Sequence, residues 1–163
     1  MAINFALCRD PALVSLVSFR IWHLLDLRRV KNDKASGRES FSSLTPYSIV
    51  ETLFWVNEKH KEPFFKVILN GRKVVGFVQI LRRDGYLWLG IRIPKPYQGL
   101  GIGTKSLFLM LKSGKLDSSN LRIMVSDGNL KALALYRNFG FREVQTNTIE
   151  YQGEKQDVLI MCR

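Results

Sequence analysis

Cysteine is scarce in this chain: Cys8 and Cys162 are the only two among 163 residues. They are too few and too far apart for a disulfide framework or a zinc motif, so both read as reduced thiols and no metal is expected. Acidic residues are also few, 14 against 25 lysines and arginines. None at all occurs between Gly85 and Leu116, so that stretch offers no carboxylate for proton transfer. Internal repeats and low-complexity tracts are absent, which points to a single domain spanning residues 1–163 and burying roughly 70% of its unfolded surface. The amino terminus lacks a positively charged start, and Arg9, Asp10 and Arg20 interrupt its apolar patches. No signal sequence or membrane span is therefore expected, and the expected location is cytoplasmic.

The net charge is +11, which favours anionic partners through long-range attraction without naming one. Basic residues concentrate modestly at Arg28, Arg29, Lys31, Lys34 and Arg38. They are not interleaved with regularly spaced aromatics as in a nucleic-acid groove, so nucleic acid stays open as a partner but is not favoured.

Periodicity and turn signals order the elements. Ile3 to Cys8 reads as a strand, Ala12 to Arg29 as a helix, and Val30 to Ser43 as a polar loop. Thr45 followed by Pro46 reads as the cap and first position of a second helix, which ends before Pro63. Asn70-Gly71 and Asp84-Gly85 are hairpin turns joining Phe64–Leu69, Lys73–Arg82 and Tyr86–Ile93 as three antiparallel strands. Ile102 to Lys112 reads as a helix, Leu121 to Val125 as a strand, and Leu130 to Phe139 as a helix closed by Gly140. The strand–helix–strand crossover places its two strands side by side. Phe141 to Ile149 and Asp157 to Met161 close the pattern around a turn at Gly153. The class is α+β with a mixed sheet.

The densest signal is Tyr97-Gln98-Gly99-Leu100-Gly101-Ile102-Gly103-Thr104, a glycine-rich turn between a strand and an apolar helix. Glycines let the backbone approach an anion, and the free N–H groups of the helix start carry roughly half a positive charge toward it. Thr104 separates Gly103 from Lys105, so a Walker loop does not fit; Gly103 also comes too early for the dinucleotide fingerprint. By itself the trio is compatible with a phosphate cradle or with a bare strand-to-helix turn.

Gln98-Gly99-Leu100-Gly101-Ile102-Gly103 resembles the Q/R-x-x-G-x-G/A acyl-CoA motif of the GCN5-related N-acetyltransferases, the GNAT superfamily. Asn129-x-x-Ala132-x-x-x-Tyr136-x-x-x-Gly140-Phe141 is similar to that family's second signature, on the expected helix. The resemblance implies a mixed, mostly antiparallel sheet of about six or seven strands with about four helices, and splayed central strands that bind acyl-CoA. It implies acetyl-CoA as co-substrate, with the pyrophosphate at Gln98, Gly99, Leu100, Gly101, Ile102, Gly103 and Thr104. Pantetheine would lie along the backbone of Ile91 and Ile93, and Asn129 would contact the cofactor. Gly90 is the expected site of the strand's bulge, since a glycine within a strand often marks one. Tyr136 would point its hydroxyl at the CoA sulfur as general acid, a role open to a phenol that stays protonated at neutral pH.

A general base is not evident; His23, Glu51 and His60 are distant candidates. An amine with a pKa of about 10.4 is uncharged only about once per 10³ molecules at neutral pH, against about one in ten for an amine near 8. A sugar amine or α-amine acceptor is therefore favoured, with ordered water relaying the proton. Lys31-Asn32-Asp33, Arg38, Ser40-Phe41, Leu44-Thr45 and the helix reaching Trp55 resemble the opening of GNAT enzymes that acetylate nucleotide-linked amino sugars, including steps toward nonulosonic acids such as pseudaminic acid. Lys31 stands where those read Arg, and Thr52 where they read His. The resemblance makes Lys31, Asn32, Arg38 and Trp55 candidate substrate contacts. The favoured acceptor is a UDP-linked 4-amino sugar, an anionic small molecule. Aminoacyl-tRNA, a protein or peptide amine, and a non-catalytic acyl-CoA sensor stay open. So does the oligomeric state, with a homodimer among the options.

Overall fold

The computed structural model describes residues 11–39, 41, 45–114 and 120–163. The strand expected at Ile3 to Cys8 lies outside them. Seven strands form one sheet in the order β1-β2-β3-β4-β5-β7-β6: β1 (Val14–Val17), β2 (Phe64–Asn70), β3 (Lys73–Arg83), β4 (Tyr86–Arg92), β5 (Leu121–Ser126), β6 (Arg142–Tyr151) and β7 (Glu154–Cys162). Among the described residues five α-helices accompany it: α1 (Leu24–Asn32), α2 (Lys34–Glu39), α3 (Ile49–Lys59), α4 (Ile102–Lys112) and α5 (Leu130–Asn138). Every neighbouring pair of strands is antiparallel except β4 and β5, which α4 joins as a parallel crossover. The class is the expected mixed, mostly antiparallel α+β fold.

Apolar residues on both faces of the central strands bury the sheet between two helical layers, as the burial of five of the seven β2 residues shows. On one face Val78, Ile80 and Leu89 pack with Leu107 and Met110 of α4 and with Leu133 and Tyr136 of α5. On the other, Phe65, Val67 and Phe77 pack with Leu27 and Val30 of α1 and Val56 of α3. Burying each of the larger of these apolar side chains contributes about 1.5–3 kcal/mol, so the two layers hold the sheet between them.

Three expectations in the amino-terminal half need correction. The segment from Ala12 is not one helix: Val14 to Val17 forms edge strand β1, paired antiparallel from Val14↔Asn70 to Val17↔Val67. Its β-branched ends suit a strand, and a short apolar run does not reveal its own period. The polar stretch after Val30 is largely helical, since α1 continues to Asn32 and α2 follows, with the Asp33 carboxylate accepting the Ser36 N–H at 2.8 Å. The cap of α3 is Ser48, not Thr45. Ser48 Oγ accepts from Glu51 N–H at 3.2 Å while the Glu51 carboxylate accepts from Ser48 N–H at 2.7 Å, a capping box that outcompetes a proline start.

Gly90 does not mark a bulge, because β3 and β4 keep one register from Phe77↔Arg92 to Arg83↔Tyr86. The glycine that matters for the end of β4 is Gly76 on β3. A Cβ there would sit 2.4 Å from the Arg92 carbonyl oxygen and 3.1 Å from Ile93 Cγ1. Only glycine allows this approach.

Candidate active site

β4 and β5 pair at Leu87↔Leu121 and Trp88↔Arg122 and at no later position. Beyond that point the two parallel strands part, leaving the backbone of Gly90 to Ile93 without a neighbour on the β5 side among the described residues. A parting of adjacent strands exposes unpaired N–H and C=O groups, which bind an extended ligand in the manner of an added strand. Ile91 and Ile93 both lie in this stretch.

The glycine turn follows directly. Gly99 and Gly101 both have φ of +74°, a conformation costly for other residues, and Gly101 is the N-cap of α4. Intrahelical bonding begins with Lys105 N–H donating to Gly101 O at 2.9 Å. The amides of Ile102, Gly103 and Thr104 therefore have no acceptor in the helix and point their dipole outward, a site for a phosphate without a metal. Ile102 and Leu100 anchor the turn in the apolar cluster of Val14, Ile68, Val75 and Ile93. A Cβ on Gly103 would meet Leu135 of α5 at 3.5 Å and Ile93 at 3.6 Å, so the helix start, α5 and the end of β4 converge. Gln98 plays a positioning part. Its Nε2 donates to Ile93 O at 2.8 Å and to Glu39 Oε2 at 2.7 Å, tying the turn to β4 and α2, while Lys95 pairs with the same carboxylate group.

Tyr136 enters from α5. Asn129, the N-cap of that helix, accepts from Ala132 N–H at 3.2 Å through Oδ1 and keeps its amide N–H groups for other partners. Two turns on, Tyr136 is 8% exposed and packs edge-on to Phe141 at 5.6 Å. Burial pushes its phenol up to about 12, which keeps the proton on the oxygen across the neutral range. The group is thus held in the form that donates.

The residues expected to touch the acceptor lie on the opposite face, and the fold uses them unequally. Lys31 is 8% exposed, with its Nζ 4.8 Å from the Tyr47 ring and 5.0 Å from the Trp55 ring. Burial first, then Arg92 and Lys59, lower its pKa to about 8. Trp55 is held edge-on against Phe65 at 5.4 Å and Phe77 at 5.0 Å. Asn32 clamps Tyr47, donating to its carbonyl at 2.9 Å and accepting from its N–H at 2.8 Å. Arg38 is exposed at the end of α2. Among the distant candidate bases, Glu51 is engaged in the α3 cap, and buried His23 accepts the Arg20 N–H at 3.1 Å through Nδ1.

Two residues on this face escaped the sequence reading. Arg92 pairs across from Phe77 and so shares its face; it is 2% exposed and donates to Asp33 O at 2.7 Å and to Ser36 Oγ at 3.2 Å. Tyr47 is placed by Asn32 and by Arg28, whose Nε donates to its carbonyl at 2.7 Å. A signal for Arg92 was present in the sequence: it is the one charge in the apolar run Leu87 to Ile93.

Residues 24–141, well over half the chain, match the Acetyltransferase (GNAT) family, and the chain belongs to that family. Its class is that of acetyltransferases using acetyl-CoA, and the parted strands and glycine cradle fit that co-substrate. No curated protein is a significant match by sequence. Among solved structures, a spermidine N-acetyltransferase from Vibrio cholerae, bound to CoA and spermine, superposes with a TM-score of 0.77 at 21% identity, over 92% of this chain and 94% of that one. RimL, a ribosomal-protein α-N-acetyltransferase bound to CoA, gives 0.79 at 18% identity over 93% of each chain. The microcin self-immunity acetyltransferase MccE, with acetyl-CoA and AMP, gives 0.75 at 16% identity over 92% and 91%. These likenesses concern the fold. Among the described residues, no three His, Cys, Asp or Glu side chains gather as a metal site and no helix is long and apolar enough to cross a membrane.

Proposed function

We propose that this acetyltransferase transfers acetyl directly from acetyl-CoA to the primary amine of an anionic small molecule, with a UDP-linked 4-amino sugar as the favoured class. The observation that carries the reading is the juxtaposition of the cradle and the strand parting with an acceptor face rich in buried cations. Acetyl-CoA supplies the activated acyl group. The amides of Ile102, Gly103 and Thr104 hold its diphosphate, and the backbone of Ile91 and Ile93 aligns the pantetheine arm. Tyr136 keeps a proton on its hydroxyl and delivers it to the departing thiolate. Asn129 steadies the start of α5 and thereby the ring two turns along.

The absence of a carboxylate from Gly85 to Leu116 favours an amine of low pKa that needs little help in losing its proton. It also argues against a polycation such as the spermine of the Vibrio cholerae enzyme, because Lys31 and Arg92 would repel it. A second reading has its own support. RimL acts on a protein α-amine and MccE is seen with AMP, so an α-amine on a protein or an aminoacyl-nucleotide meets the same demand, and the charge of +11 would suit tRNA.

Thiol release from acetyl-CoA against UDP-linked 4-amino sugars, polyamines, peptides and aminoacyl-tRNA tests the proposal. Turnover with the amino sugars is expected. Turnover confined to peptides or aminoacyl-tRNA transfers the activity to the second reading, and CoA binding without any turnover makes the protein a sensor.

A further inference from the structure

Four buried polar atoms without a hydrogen-bond partner gather on one face of β3, β4 and β5: Gln79 Oε1, Trp88 Nε1, Arg92 Nη1 and Arg122 Nε. Register spreads them along that face: Arg92 lies two residues beyond Gly90, which stands opposite Gln79, and Trp88 lies two residues before it, opposite Arg122. A folded chain rarely leaves such groups unpaired, and each buried orphan costs about 1–3 kcal/mol. Arg92 is the most demanding of them. Two of its nitrogens hold Asp33 O and Ser36 Oγ and so fix the plane of the guanidinium, leaving Nη1 bare.

Lys31 repeats the pattern beside it. Its ammonium faces two aromatic rings and makes no ion pair among the described residues, and neither does Arg92. Two buried cations that repel one another and lack a bonded carboxylate do not stabilise a fold; burying unpaired charge is strongly unfavourable. The titratable groups acting on Arg92 are Asp33, Tyr151 and Tyr47, and on Lys31 they are Arg92 and Lys59. Asp33 is already engaged with the Ser36 N–H.

We propose that Arg92 and Lys31 form an oxyanion subsite on the acceptor side of the strand parting, with Arg92 Nη1 donating to a phosphate or carboxylate carried by the amine substrate. This rests on the acetyltransferase reading above and makes the charge of the acceptor a determinant of specificity. A planar guanidinium held by two bonds is pre-organised for an oxyanion, and a neighbouring ammonium adds attraction. Because Nη1 is closed to solvent in the free chain, binding requires a neighbouring side chain to change rotamer, a common adjustment on binding.

The test is the titration of Lys31, followed by NMR of ¹³C-labelled lysine in protein saturated with CoA so that the cradle is filled. Inorganic phosphate, inorganic pyrophosphate and acetate are added in separate arms. The expected result is that at least one anion raises the Lys31 pKa toward the ordinary lysine value, that the arms show which oxyanion is preferred, and that Arg92→Gln abolishes the rise. In turnover, Arg92→Gln should raise KM for the anionic acceptor by about tenfold or more, a larger change than the fall in kcat. If Arg92→Gln does not fold, pyrophosphate binding to Lys31→Met in the presence of CoA, measured by calorimetry, takes its place and should be lost. Normal CoA binding with a Lys31 titration indifferent to all three anions overturns the subsite alone. Failure of CoA to bind overturns the acetyltransferase reading itself.

Discussion

The two faces of this sheet are built in different ways. On the α4 and α5 face, where we propose that the donor binds, the groups available are backbone amides at a helix start, an unpaired strand edge and one phenol, all contributed by residues 90 to 136. On the α1 and α3 face the proposed acceptor contacts are long side chains, Lys31, Arg92, Tyr47 and Trp55, drawn from segments some sixty residues apart. Backbone sites repeat wherever the local fold repeats, which suits an invariant donor. Side-chain sites vary with each substitution, which suits a particular acceptor.

Gly76→Val would erase the contrast by damaging both faces at once. Its Cβ would lie 2.4 Å from the Arg92 carbonyl oxygen, and the end of β4 borders both proposed subsites. A loss of about 3–4 kcal/mol in urea unfolding is expected; a loss below about 1 kcal/mol would show that the approach relaxes easily. Tyr136→Phe should separate the faces cleanly: turnover falls about 10²-fold while CoA affinity, measured by calorimetry, stays within a small factor. Unchanged turnover would remove Tyr136 from the chemistry.

Lys31→Met sharpens the comparison through pH. Lys31 has a folded pKa of about 8, below its ordinary 10.5. Between these values the unfolded chain holds the proton and the folded chain does not, so stability rises with pH across that window. Below it both states are protonated and the full penalty of burying the charge is felt. The stability of the wild type relative to Lys31→Met should therefore improve by about 3 kcal/mol between pH 7.5 and pH 10.5, read as the difference of two urea midpoints. A constant difference would mean that the ammonium is solvated in solution. Gln98→Ala gives the smallest effect. It cuts the bonds to Ile93 O and Glu39, and should cost about 1 kcal/mol of stability with a modest loss of CoA affinity measured by calorimetry.

The donor half was legible because its signals are local. Asn70-Gly71 and Asp84-Gly85 announce hairpins, Ile102 to Lys112 has helical spacing, and Gly99 and Gly101 sit where left-handed backbone is needed. The amino-terminal half was less so. Val14 to Val17 joins the sheet only because β2 offers it an edge, and Ser48 displaces Thr45 as a cap because Glu51 answers it. Gly90 attracted attention as a glycine inside a strand, whereas the demand for a missing Cβ fell on Gly76, whose neighbour lies on another strand.

The sequence by itself determined the α+β class, the hairpins, the glycine cradle and the family motifs, since each depends on residues within a few positions of one another. Only the tertiary structure decided where β4 leaves β5, that Gln98 braces the turn against α2, and that Lys31 and Arg92 lie buried together with no ion pair among the described residues. Those features arise from contacts across the sheet and between layers, where a residue's surroundings are set by distant segments that no local pattern encodes.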